Sequence, residues 1–184
     1  MHAIARFHHF FDCCIGGWHT ERTYHDLSQQ KVERSHTDFT IRTLSPELKA
    51  KVLQDNHYPP DLPINGLLGF HLAFETVSET GEEVSQSLNM LFLPEREDTP
   101  ILAGAYLRDR GYEEDRPIVA YFTFDPHTLC LQMTTTYTHV VAVDKITLLN
   151  PRLRLREIMT YQREEKDPLK EILLVGFGVE QKTI

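Results

Sequence analysis

The chain has 184 residues, 41% apolar and 25% charged, with a formal net charge of −8. That length suits a single domain over residues 1–184 with a sizeable core, and so acidic a surface repels phosphate backbones, which argues against a nucleic-acid partner. No apolar run approaches the ~20 residues needed to span a bilayer.

In chain order, "HAIARFHHFFDCCI" reads as a helix. Ile4, Phe7, His8, Phe11 and Ile15 recur at helical spacing, and Gly16 and Gly17 stop it. Its histidines interrupt the clean apolar core that an export signal would need, so no such signal is expected. "GGWHTERTYH" (residues 16–25) reads as the first strand, and "TDFTIRTL" alternates as a second. "SPELKAKVLQDN" predicts a short helix from about Pro46 to Gln54, with Ser45 as N-cap, Pro46 as first helical residue, and Leu48 and Val52 sharing a face. "NHYPPDLPIN" is a proline-rich connector.

The remainder is strand-like. "SLNMLFL", "ILAGAYLRD", "IVAYFTFD", "TLCLQMTTTYT", "VVAVDKITLL", "RLRLREIMTYQ" and "EILLVGFGVEQ" follow one another, separated by "PEREDTP", "RGYEEDRP", "DPHT", "NP" and "EEKDP". Roughly eight to ten short strands with short turns and no crossover helices imply consecutive antiparallel pairing, in a meander sandwich or an up-and-down barrel. A barrel of that strand number can enclose one small ligand.

Three groups of residues bear on chemistry. In the first strand, Trp18, Thr20, Arg22 and Tyr24 share one face and His19, Glu21, Thr23 and His25 the other. Either Trp18 and Tyr24 belong to a core with Arg22 bridging to a carboxylate, or Arg22 faces an anionic planar ligand inside a barrel. His19 and His25 do not suit one metal ion, because six residues of strand separate them by ~20 Å. In "RLRLRE", Arg152, Arg154 and Arg156 oppose Leu153 and Leu155. Either the leucines are core and the arginines solvated, or the arginines turn inward, where guanidinium groups persist only if paired. Asp144 and Glu180 are lone acids among apolar strand neighbours, either outward and lysine-paired or inward and holding donors.

Cys13 and Cys14 are adjacent, the total of three cysteines is odd, and no C-x-x-C occurs. This argues against a disulfide framework or zinc site and for a reducing compartment. Cys130 is expected to be a small buried hydrophobe.

Together these segments resemble the S/U-type phycobiliprotein lyases, the chromophore lyase CpcS/CpeS family. "GGWHTERTYHDLS" is similar to that family's opening strand, G-x-W-x-S-x-R-T-x-H-x-L. "RDRGYEEDRPIVAYFTFDPHTLCLQMTTTYT" is similar to its LLR-x-x-GY-x-E-x-x-P-V-x-G-x-Y-x-FD segment followed by L-x-L-x-TEYE. "DKITLLNPRLRLRE" resembles E-R-I-W-F-x-x-PNLR-x-R, and "GFGVEQK" resembles the closing SF-C-S-E-I-R, all in order from Phe10 to Lys182.

The resemblance implies a mainly β fold: a ten-stranded antiparallel up-and-down β-barrel of the lipocalin and fatty-acid-binding-protein (calycin) kind, with an N-terminal helix and one further short helix. It implies a bilin chromophore lyase with no permanently bound cofactor and no metal. Such an enzyme binds a phycobilin, phycocyanobilin or phycoerythrobilin, and attaches it by a thioether to a cysteine of a phycobiliprotein subunit. Asp144 and Arg154 are implied as catalytic, with Arg22, Trp18, Phe74, Arg156 and Glu180 as ligand-binding. A homodimer, or a heterodimer with a related lyase subunit, and a cyanobacterial cytoplasm or algal plastid stroma are implied too. The chain departs from the pattern at Asp144 (family Glu), Thr147 (Trp), Thr136 and Thr138 (the TEYE acids) and Arg152 (Asn). Alternative expectations are therefore a non-catalytic partner subunit or a fatty-acid-type carrier.

Overall fold

Ten strands close into an antiparallel barrel, in the order β1-β10-β9-β8-β7-β6-β5-β4-β3-β2. The computed structural model describes residues 3–59, 62–96, 99–109, 118–163 and 171–183. The elements are α1 (Ala3–Cys14), β1 (Gly16–Asp26), β2 (Lys31–Thr43), α2 (Pro46–Asp55), β3 (Gly69–Ser78), β4 (Glu83–Arg96), β5 (Leu102–Arg108), β6 (Ile118–Asp125), β7 (Cys130–Thr136), β8 (Val140–Asn150), β9 (Leu153–Gln162) and β10 (Glu171–Lys182). Every strand pairs with its sequence neighbour, and the β1–β10 ladder closes the ring, which leaves no free sheet edge. The sequence reading separates nine strands; the tenth is β3, "GFHLAFETVS", whose alternation is blurred by Gly69 and by its partly buried outward residues. Two predicted turns, "RGYEEDRP" (residues 110–117) and "EEKDP" (164–168), lie outside the described residues, as do residues 60–61 of the connector and 97–98 of "PEREDTP".

Helix α1 plugs one end of the barrel. Phe7, fully buried, stacks on Phe122 at 5.3 Å and meets Phe92 and Phe124 edge-on or tilted, while Phe11 packs on Phe70 and Phe92. Each such phenylalanine contributes roughly 1.5–3 kcal/mol by leaving water. The buried stripe is Ala3, Phe7, Phe10, Phe11, Cys13 and Cys14. Of the expected face, Phe7 and Phe11 are buried, Ile4 and Ile15 pack partly buried against the same cluster, and His8 is partly exposed; a helix sunk into a barrel mouth buries a wider arc, which adds Ala3, Phe10, Cys13 and Cys14. Lys182 Nζ and Trp18 Nε1 donate to the carbonyls of Cys13 and Cys14, at 2.9 and 2.8 Å, and satisfy the end of the helix.

Helix α2 begins as expected. The Ser45 hydroxyl accepts from the Leu48 amide at 3.3 Å, and Pro46 follows it. It lies on the outside, where Val52 and Leu53 cover the outward-facing Leu91 of β4 and Leu107 of β5. The inward residues beside these, Met90, Phe92 and Tyr106, belong to the interior cluster. Among the described residues no helix is long and apolar enough to cross a membrane.

Inward side chains near α1 are sealed: Trp18, Phe39, Phe92, Phe122 and Phe124 are all buried. Farther along the same strands, Arg22, Tyr24, Asp144, Arg156 and Ile158 stay partly exposed. Among the described residues the interior is therefore sealed at the α1 end and more exposed toward the other along β1, β8 and β9.

Candidate functional site

Strand period gathers charged side chains on the inner wall where β1, β8, β9 and β10 meet, and Arg108 of β5, buried against Tyr106 and Tyr137, also faces inward. On β1, Trp18, Thr20, Arg22 and Tyr24 point inward; on β9, Arg154 and Arg156; on β8, Asp144; on β10, Glu180. Residues opposite one another in a ladder share a face, so the pairings Thr20↔Glu180↔Arg154 and Arg22↔Gly178↔Arg156 stack two charged tiers along the wall.

Glu180 is the hub. Its Oε2 accepts from Arg154 Nε at 2.6 Å, and its Oε1 faces Arg22 Nη2 at 3.4 Å and Arg156 Nη1 at 3.9 Å. Burial alone raises the pKa of a carboxyl, but Arg154, Arg156 and Arg22 together hold that of Glu180 below its ordinary value. Arg154 is 3% exposed; it also donates from Nη1 to the Cys14 sulfur at 3.1 Å and lies over the Trp18 ring at 4.4 Å. Arg156 grips Asp144 with both Nε, at 2.9 Å, and Nη2. This second pair is one-fifth exposed, at 20% and 21%. Arg22, Arg154 and Arg156 against Asp144 and Glu180 leave the network one positive charge in excess. Two buried polar atoms near its upper tier, Arg22 Nε and Ser35 Oγ, have no hydrogen-bond partner, and Arg22 and Ser35 face each other across the β1–β2 ladder. An anionic, hydrogen-bonding ligand entering from the more exposed end thus meets Arg22 and Arg156 first, with Asp144 as acceptor beside them.

Several either-or readings resolve. Arginines, not leucines, point inward in "RLRLRE": Leu155 is 37% exposed, and Arg152 falls in the exposed β8–β9 turn instead of sharing their face. Asp144 is not lysine-paired; Lys145, its outward neighbour, binds Glu157 at 3.0 Å instead. Cys130 is partly exposed, not buried, because Leu131 takes the inward position. Sequence reasoning missed Tyr24's counterpart on β10. A Cβ on Gly176 would lie 2.5 Å from Tyr24 Cδ1, and one on Gly178 3.1 Å from Arg22 Cγ, so these glycines are the recesses that seat Tyr24 and Arg22. The signal was present as G-x-G on the strand that closes onto β1.

An open groove of about 630 Å³ runs over β1–β4; Asp38, Thr40, Ala73, Glu75, Ser85 and Ser87, which alternate with the inward residues of these strands, make most of its lining, so it lies on the outer wall. That volume falls in the usual range for small-molecule sites, about 300–1,000 Å³. Trp18 and Phe74 border it from the inward face of the same strands, and Arg22, Asp144, Arg154, Arg156 and Glu180 do not line it.

A family model described as "CpeS-like protein" matches residues 6–183. Over 183 residues, 99% of each chain, the sequence is 71% identical to "Chromophore lyase CpcS/CpeS 1" of Synechococcus sp. (strain JA-3-3Ab). It is 26% identical over 147 residues, 80% of this chain and 79% of that one, to "Chromophore lyase CpcS/CpeS" of Thermosynechococcus vestitus. Among solved structures, the S-type phycobiliprotein lyase CPES from Guillardia theta superposes with a TM-score of 0.77 at 18% identity, covering 97% of this chain and 93% of that one; this shows the shared fold.

Proposed function

This chain belongs to the CpeS-like family, and from that premise we propose how its barrel works as a phycobiliprotein chromophore lyase. The observation that carries the activity is the 71% identity, over 99% of both chains, to a chromophore lyase. The product is a bilin joined through a thioether to a cysteine of a phycobiliprotein subunit. The substrate is a phycobilin, an open-chain tetrapyrrole with two propionates, either phycocyanobilin or phycoerythrobilin.

The site reading assigns Arg156 and Arg22 to the propionates, because they are the inward guanidinium groups a ligand can reach from the more exposed end. Asp144 accepts from the pyrrole N–H groups and stabilises positive charge on the bilin during attack. Arg154 and Glu180 lie deeper and hold this tier in place. Trp18 and Phe74 supply apolar wall. The acceptor thiol adds to the ethylidene of ring A: the S–C bond forms, the thiol proton ends on the bilin, and no oxidant or reductant is consumed. The lyase contributes orientation, which replaces a random encounter and supplies several kcal/mol. Neither Cys13 nor Cys14 suits a nucleophile, since burial raises both thiol pKa values. Free thiols in both positions fit a reducing compartment, the cytoplasm of a cyanobacterium or a plastid stroma.

The test mixes purified protein with phycocyanobilin or phycoerythrobilin and an apo-phycobiliprotein subunit. Expected are a shifted bilin spectrum and a denaturation-stable coloured adduct on the subunit. No spectral change with either bilin, and no adduct, overturns the reading. An adduct that forms only after a related lyase subunit is added assigns the chain to a heterodimer.

A further inference from the structure

We propose that the outer wall of β1–β2 carries a binding site for one divalent transition-metal ion, of the zinc class, built from His19, His36 and Asp38 and oriented by Glu21. All four side chains point outward, away from the charged interior. His19 lies directly opposite Asp38 in the ladder, and Glu21 directly opposite His36. Positions i and i+2 on two neighbouring strands therefore form a square of two histidines and two carboxylates.

The geometry is that of a metal site and its support. His19 Nδ1 lies 3.2 Å from Asp38 Oδ1, and His36 Nε2 lies 3.2 Å from Asp38 Oδ2. One ligand atom from each of the three residues falls within 4.8 Å of the others. Tetrahedral zinc with bonds of about 2.0–2.2 Å holds adjacent donor atoms about 3.3 Å apart, so each histidine already stands at that spacing from one oxygen of the Asp38 carboxylate, His19 from Oδ1 and His36 from Oδ2. Glu21 Oε1 lies 2.8 Å from His36 Nδ1. A carboxylate there accepts the Nδ1–H, fixes the tautomer, and turns the Nε2 lone pair toward Asp38. That is the carboxylate–histidine–metal arrangement by which a support residue orients a ligand. Two imidazoles and a carboxylate suit zinc, nickel or copper over magnesium or calcium, and the half-exposed position leaves a fourth site for water. The first-strand histidine that sequence spacing pairs with His19 is not part of it: His25 stacks on Phe177 at 6.0 Å.

The test titrates chelator-treated protein with Zn²⁺ by calorimetry, and with Co²⁺ while recording visible absorption. Expected are one saturable site and the intense d–d bands of a four-coordinate ion. Affinity should fall by more than tenfold in His36→Ala and in Asp38→Ala, and by about 10–100-fold in Glu21→Gln, with His25→Ala unchanged. All four changes are on the exposed face, and unchanged circular dichroism shows that the barrel persists. The chain has ten histidines, so weak binding that persists at wild-type affinity in His36→Ala, or no saturable binding at all, overturns the site. Bilin transfer is read separately and does not depend on the outcome.

Discussion

Arg154 and Glu180 form an ion pair sealed inside the barrel, with Nε donating to Oε2 at 2.6 Å and side chains 3% and 0% exposed. Removing one partner of a buried pair strands a charge in low dielectric and costs about 3–5 kcal/mol. Glu180→Ala, which strands Arg154 and Arg22, is expected to lose that much in urea unfolding, and Arg154→Ala less, because Arg22 and Arg156 still face Glu180. The double variant Arg154→Met/Glu180→Met should recover part of the Glu180→Ala loss, since it removes the stranded Arg154 charge, but only part, because Arg22 still lacks its Glu180 contact. Single variants within 0.5 kcal/mol of wild type would refute this organising role.

Acid should act through the same hub. The pKa of Glu180 is lowered in the fold below the ordinary glutamate value of 4.5. A depressed carboxyl contributes stability that is fully present above its unfolded pKa and lost as pH falls through the folded one. Urea midpoints are therefore expected to hold from neutral pH to about pH 5 and then to fall as the medium becomes more acid. Glu180→Gln should start lower and show a flatter acid limb. An acid limb equally steep in Glu180→Gln and wild type would assign the loss to other carboxylates.

The reachable pair is Asp144 with Arg156, at 21% and 20% exposure. Arg156→Ala removes a charge-assisted contact to a bilin propionate and should weaken bilin binding by more than tenfold, by the roughly 2–5 kcal/mol scale of such truncations. Asp144→Asn keeps the size and removes the charge, so it should shift the bound bilin's absorbance and slow transfer. Arg154→Ala, by contrast, should weaken binding chiefly in step with its loss of stability. Titrations that give wild-type affinity for Arg156→Ala would remove Arg156 from the ligand site.

Nine of the ten strands, the antiparallel meander, the Ser45 cap and the alternation of β1 were legible, because each is written in local spacing; β3, with its blurred alternation, was not. The direction in which "RLRLRE" faces was not. Leucine-in and arginine-in are equally periodic, and only the closing of β10 onto β9, which brings Glu180 opposite Arg154, decides between them. Asp144 shows the same limit: its partner Arg156 lies twelve residues away across a hairpin, whereas the lysine beside it points outward. The meeting of His19 with His36 likewise depends on the β1–β2 register, which residue spacing within one strand does not contain. The family pattern supplied the inward arginines; the barrel supplies their partners.

Cys-to-Ser changes test where the covalent chemistry lies. Cys14 is 2% exposed and touches Arg154, and burial raises its thiol pKa. The acceptor subunit provides the reacting thiol, so Cys13→Ser, Cys14→Ser and Cys130→Ser should retain most of the transfer rate. Cys14→Ser should cost some stability, because a hydroxyl replaces a larger sulfur beside Arg154. Loss of transfer in a folded Cys130→Ser variant would point instead to a covalent bilin–lyase intermediate.

Two glycines separate the role of the recess from that of packing. A Cβ on Gly104 would sit 2.1 Å from the Leu93 carbonyl oxygen, a backbone atom with no side-chain freedom to yield. Gly104→Ala must therefore shift β4 against β5 and should lower stability by about 1–3 kcal/mol. A Cβ on Gly176 meets instead Tyr24 Cδ1 at 2.5 Å and Cε1 at 2.7 Å, atoms of a ring that can swing away. Gly176→Ala should thus lose less stability while pushing the Tyr24 ring into the more exposed half of the barrel. That ring lies on the same inward face as Arg22 and beside the Ile158–Asp144 tier, so bilin binding should weaken and its spectrum change. Thermal unfolding and bilin titration of the two variants side by side read both effects. A Gly176→Ala protein that binds bilin with wild-type affinity and spectrum would show that the ligand does not reach this tier.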